Sequence, residues 1–173
     1  MVRFSPLLSL LCLGCVADQP ESAQTVSAFE VPLPTQTDKS AFLALLRTAA
    51  EAQGYHVDAA SEDELKAVSR VSPLTFNASI WRGNDEENMA SAMDGAEHIG
   101  RVWITFPKGE NPQRSAEFRG SLIRKIRHRW PETASLPIMP SGAIPLVDDL
   151  VRTPSGYEVK TSEAQEYQVE PQH

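Results

Sequence analysis

Apolar positions between residues 26 and 160 switch between a two-residue and a 3.6-residue period, and each switch marks a change from strand to helix. Phe29, Val31 and Leu33 alternate with Ala28, Glu30 and Pro32, which predicts a first strand over 26–33, closed by Pro32 and Pro34 or held at a sheet edge. Phe42, Leu45, Leu46, Ala49 and Ala52 then recur at helical spacing. They predict a helix over 38–53, capped by Asp38 or Thr37 and stopped by Gly54. Residues 55–58 read as a short strand. Ser61-Glu62-Asp63-Glu64 has the capping-box pattern, which starts a short helix over 61–70. Leu74, Phe76, Ala78 and Ile80 alternate with polar neighbours and predict a strand over 74–81. Residues 84–93 suggest a weak helix or long loop. Arg101 to Pro107 is the strongest strand, and Asn111-Pro112 opens a helix reaching about Trp130, with Phe118, Leu122, Ile123, Ile126 and Trp130 on its apolar side. A hairpin over 150–160 turns at Pro154-Ser155-Gly156. This order predicts an α+β fold, a two-layer sandwich of an antiparallel sheet and two main helices. The leading topology is a split β-α-β, ferredoxin-like one, with the short helix and the hairpin as additions.

The first fifteen residues follow a different pattern. Arg3 precedes an apolar run from Phe4 to Leu13, and Gly14-Cys15 closes it before a polar stretch. A basic start, a short apolar core and a small-residue exit predict a secretory signal over 1–14. The run is shorter than the ~20 residues that span a bilayer. With Leu10 and Leu11 upstream, Leu13-Gly14-Cys15 resembles the junction of a bacterial lipoprotein precursor, although Cys12 stands where that family usually has Leu. The resemblance implies cleavage before Cys15, acylation of Cys15 and a membrane partner reached through that lipid. Val16, which is not Asp, implies sorting to the outer membrane, facing the periplasm. Cleavage after Ala17, giving a soluble secreted chain, is the competing expectation. Residues 15–25 would form a flexible tether, 26–161 one domain and 162–173 a tail with one helical turn.

Charge and cysteine usage narrow the picture. The 173 residues carry a formal net charge of -7, a poor match to nucleic acid. The two cysteines are Cys12 and Cys15, so cleavage before Cys15 leaves one thiol and no internal disulfide. Acylation accounts for that thiol.

Little catalytic chemistry is written in the remainder. His56, His98, His128 and His173 lack metal-ligand spacing, so neither a metal nor another cofactor is expected. Asp85-Glu86-Glu87 and Asp148-Asp149 read as solvated carboxylates, and Ser141 and Ser155 as turn residues. Trp81 and Trp103 fall on the faces opposite the apolar sides of their strands, where the added elements would cover them or, failing that, an exposed aromatic patch would offer a binding surface. On the second long helix, Arg124, Lys125, Arg127 and His128 lie opposite the apolar stripe. The helix macrodipole favours cations there. Arg124, Lys125 and Arg127 are also candidates for a basic docking strip suited to an acidic partner or to lipid phosphates. Arg119 falls inside the apolar stripe, so its guanidinium must pair, with Glu30 or Asp58 the favoured partners, or run its stem out to water. The expected function is therefore a lipid-anchored envelope protein whose non-catalytic domain binds another protein. An inhibitor or immunity protein against a secreted toxin or hydrolase is the alternative, and a cell-wall hydrolase is the third possibility.

Overall fold

A computed structural model describes residues 20–68, 74–94 and 100–168. The signal, Cys15 and most of the expected tether lie outside them. The described residues form one eight-stranded sheet from β1 (Thr25–Pro32), β2 (His56–Ala59), β3 (Asn77–Arg82), β4 (Glu87–Met93), β5 (Arg101–Pro107), β6 (Ala134–Leu136), β7 (Leu150–Thr153) and β8 (Gly156–Val159). Two long helices, α1 (Gln36–Glu51) and α3 (Pro112–Arg129), pack on one face, and α2 (Glu62–Val68) is short. The fold is an α+β sandwich.

Strand order is β2-β3-β4-β5-β1-β6-β8-β7. All pairs are antiparallel except one parallel bridge, Ser135 opposite Gly156, between β6 and β8. β5 lies between β1 and β4 and opposes both, so those two run parallel across it. The split β-α-β unit is β5-α3-β6, whose two strands run parallel on either side of β1, while β2 and β3 extend the sheet beyond β4.

Local chemistry fixes the helix ends. Thr35, not Asp38 or Thr37, is the N-cap of α1. Its hydroxyl accepts from the Asp38 amide at 3.1 Å, while the Asp38 carboxylate accepts from the Thr35 amide at 3.2 Å. At the other end the Tyr55 amide reaches back to the Ala50 carbonyl at 2.9 Å, and Gly54 takes φ +71°. That is the six-to-one bond of a Schellman stop. Ser61 and Glu64 form the expected reciprocal cap of α2. Asn111 caps α3, and Pro112 occupies its first turn, where the missing N–H costs nothing.

Residues 84–93 depart from expectation. They form a tight turn followed by β4, not a helix. Gly83 and Asp85 both take positive φ, so the backbone reverses within residues 83–86 and Arg82 comes to lie opposite Glu87. β4 presents Met89, Ala90 and Ala92 to the helices, while Met93 is exposed. Residues 20–25, expected within the tether, are docked. The Lys108 and Gly109 amides donate to the carbonyls of Gln24 and Ser22, each at 2.8 Å, and Gln24 Nε2 donates to the Pro140 carbonyl at 2.7 Å.

Two apolar clusters flank the sheet. The larger joins α1 and α3 to one face, with Val31, Phe42, Leu46, Ile104, Phe118 and Ile126 at its centre. The smaller, Ala28, Leu136 and Leu150, lies on the opposite face, where Trp103, Tyr157 and Val159 pack against it. The segment after α3 thus extends the sheet beyond β1 and packs against Trp103, as expected. Trp81 is half-buried on β3.

Candidate functional site

Among the described residues three carboxylates are buried, and each is held by donors from other parts of the chain. Asp94 is 1% exposed at the end of β4. It accepts from Lys39 Nζ at 2.6 Å, the Thr75 amide at 2.8 Å, the Phe76 amide at 2.7 Å and the Thr75 hydroxyl. Burial pushes its carboxyl upward, but the bonds from Lys39 and Thr75 outweigh that and hold it below its ordinary value. Glu87, in a run expected to be solvated, is buried instead. Arg114 Nη2 lies at 2.5 Å, Arg82 Nη1 at 3.3 Å and the Glu110 amide at 2.9 Å. Glu30 lies on the face of β1 away from the helices. Tyr157 Oη donates to it at 2.7 Å and Trp103 Nε1 at 3.1 Å, Arg101 also donates, and Arg152 Nη1 stands at 3.5 Å.

These carboxylates clamp elements together. Their lone pairs are already committed to charged or amide donors, which leaves a poor general base. The Glu30 cluster also corrects the expectation for Arg119. Glu30 is engaged on the opposite side of the sheet, and Asp58 is exposed on β2. Arg119 makes no ion pair among the described residues and stays half-buried.

A concave feature lies on the outer side of the helical layer, between α1 and α3. It is an open trough of about 770 Å³. Ala41, Ala44, Leu45, Thr48 and Ala49 of α1 and Ser121 of α3 form its small, mostly apolar floor. Arg124, Lys125, His128 and Arg129 of α3 form one wall. The spacing i, i+1, i+4, i+5 puts these four on one helical face. Of the proposed docking strip, Arg124 and Lys125 therefore line the trough. Arg127 lies elsewhere, its guanidinium 5.2 Å from the centre of the Phe29 ring. Arg129, absent from that strip, belongs to the wall and stacks 5.1 Å from the Trp130 ring centre. Arg124, Lys125 and His128 form no ion pair among the described residues. The trough escaped the sequence reading because α1's small residues read only as one side of an amphipathic helix. Where α1 and α3 lie side by side, that side and the α3 cations make one surface.

His56 lies on β2, with Nε2 at 2.7 Å from Asp85 Oδ1. Among the described residues no group of three or more His, Cys, Asp or Glu is placed to hold a metal ion. Set against known proteins, the chain matches no family and no curated protein sequence.

Proposed function

We propose that this chain is a lipid-anchored cell-envelope protein whose folded domain works by binding another protein and catalyses no reaction. The observation that carries the binding half is the α1–α3 trough. An acidic chain places Arg124, Lys125, His128 and Arg129 along one wall of an apolar groove, and none of the four forms an ion pair among the described residues. Surface charges not spent on internal pairs, beside apolar surface that no element covers, are what a docking face offers a complementary partner. The anchoring half rests on Leu13-Gly14-Cys15 and on the thiol that acylation would use. Two acyl chains or more would hold such a domain stably at a bilayer, at ~0.8 kcal/mol per buried methylene.

Each half has its own test. Intact mass of membrane-extracted protein should show lipid on a chain beginning at Cys15, and Cys15→Ser should move the protein to the soluble fraction. An unmodified chain beginning at Asp18 overturns the anchor. For the domain, affinity capture from envelope extract should recover a protein with the native chain and lose it with Arg124→Glu/Lys125→Glu. Retention by the double variant, or turnover of cell-wall fragments by the purified protein, defeats the binding reading.

A further inference from the structure

We infer that the α1–α3 trough receives an acidic amphipathic α-helix of the partner, laid lengthwise between the two helices; this rests on the protein-binding reading above and names the partner's chemistry. The trough is linear. Its floor runs from Ala41 to Ala49 on α1 and its wall from Ser121 to Arg129 on α3, each a rise of ~12 Å, or about two helical turns. Because β1 and β5 are antiparallel and lead into α1 and α3, the two helices also run antiparallel. A third helix resting on both would lie outside the helical layer, over the groove between α1 and α3.

Side-chain size favours a helix as the occupant. Helix axes pack ~8–10 Å apart, nearer when the residues between them are small. Ala41, Ala44, Ala49 and Ser121 leave that room. The charge is one-sided. Arg124, Lys125, His128 and Arg129 flank the floor along α3, and the α1 residues lining the trough carry no charge. A matching helix therefore has apolar residues at i, i+3, i+4 and i+7 facing the floor, with Glu or Asp down the one flank that meets α3. An isolated anionic lipid has the same two chemistries but fits less well. Small-molecule sites bury about 70–90% of their ligand, whereas this trough is open along its length and would leave one side of an acyl chain in water. A helix turns a polar side to that water.

The test uses the full chain, isotopically labelled for NMR, and a synthetic 16-residue peptide. The peptide has Leu and Ala at helical spacing and Glu along one flank; a second peptide has Lys in place of Glu. The Glu peptide should bind at least about tenfold tighter than the Lys peptide, a gap of about 1.4 kcal/mol, and should shift amides of residues 41–49 and 121–129. Arg124→Glu/Lys125→Glu should remove that preference, Ala44→Trp should block the floor, and Arg47→Glu, outside the trough, should leave binding unchanged. Equal binding of both peptides, shifts confined to the sheet, or insensitivity to charge reversal and to Ala44→Trp overturns the inference. So does tighter association with anionic phosphatidylglycerol vesicles than with the Glu peptide.

A photo-crosslinker at Thr48 in native envelopes separates the two levels of the claim. Crosslinks to an acidic segment with helical apolar spacing support the inference. Crosslinks to a protein segment without that pattern overturn the helix and leave the protein-binding reading standing. Crosslinks to lipid alone overturn both.

Discussion

At the scale of single residues, the most consequential side chains are the buried charges. Asp94 has no exposed side-chain surface, and its Lys39 partner is 8% exposed. Taking one partner from such a pair strands the other, at a cost of ~3–5 kcal/mol. Lys39→Met should therefore destabilise strongly. Lys39→Met combined with Asp94→Leu should recover much of the loss, because the stranded charge is gone, although the Thr75 and Phe76 amides then lose their acceptor. A urea midpoint for the double variant no higher than for the single would contradict this account. The same site sets an acid limit. The folded-state pKa of Asp94 is depressed, so its contribution is present above its ordinary value of 3.8 and is lost as pH falls through the folded value. Acid titration of Asp94→Asn should show a shallower fall in stability over that window than the native chain. Gly54 is the clean backbone case. Its φ is +71°, and a Cβ there would meet nothing within 4 Å. Gly54→Ala should cost ~1–2 kcal/mol through conformation alone. Gly54→Asn should cost less, since Asn tolerates that region; equal losses for both would point to a cause other than φ.

At the scale of elements, α3 carries both core and trough, and Gly120 is its weak point. A Cβ at Gly120 would meet only Arg124 Nη1, at 3.6 Å, an ordinary contact. Glycine inside a helix costs ~0.5–1 kcal/mol relative to alanine. Gly120→Ala should raise the urea midpoint accordingly, and a lowered midpoint would mean that α3 needs a bend there. The elements also show which features were legible before folding. α1, α3, β5 and the β7–β8 hairpin follow from local periodicity and caps, because each is long enough or punctuated enough to be fixed by its own residues. β4 was not legible. Asn84-Asp85-Glu86-Glu87 has the composition of a helix start, and the Ala90 and Ala92 that face the core are poor strand formers. Pairing with β3 and β5 overrides that preference. The Glu30 cluster was hidden for another reason. Its partners Arg101, Trp103, Arg152 and Tyr157 lie 71 to 127 residues away, and no local pattern links them. The candidate site was part legible: Arg124, Lys125 and His128 could be assigned to one face, but Arg127 was placed with them and Arg129 was not, and the α1 floor beside them is a product of tertiary packing.

At the scale of the whole molecule, the sheet is clad unequally, and this predicts how it comes apart. The helix-side cluster unites α1, α3 and most strands, whereas the opposite cluster has three buried residues, Ala28, Leu136 and Leu150. The β7–β8 hairpin joins the sheet through the single Ser135–Gly156 bridge and is pinned by Tyr157 and Arg152 at Glu30. Such a unit should open below the free energy of global unfolding. Hydrogen exchange in increasing urea should release amides of residues 150–159 before those of 29–33 and 102–106. Glu30→Gln should widen that gap, since hydrogen bonds to a charged group contribute ~1.5–3 kcal/mol. Alkali should act on the same latch. Burial, then the bond to Glu30, raises the Tyr157 pKa above its ordinary 10.0. Its contribution is therefore complete below that pH and is lost as pH rises through the folded value. Tyr157→Phe should remove this alkaline dependence, read by near-ultraviolet absorbance, while leaving the exchange of 102–106 unchanged. Simultaneous release of hairpin and core amides at every urea concentration would show instead that the two clusters unfold as one.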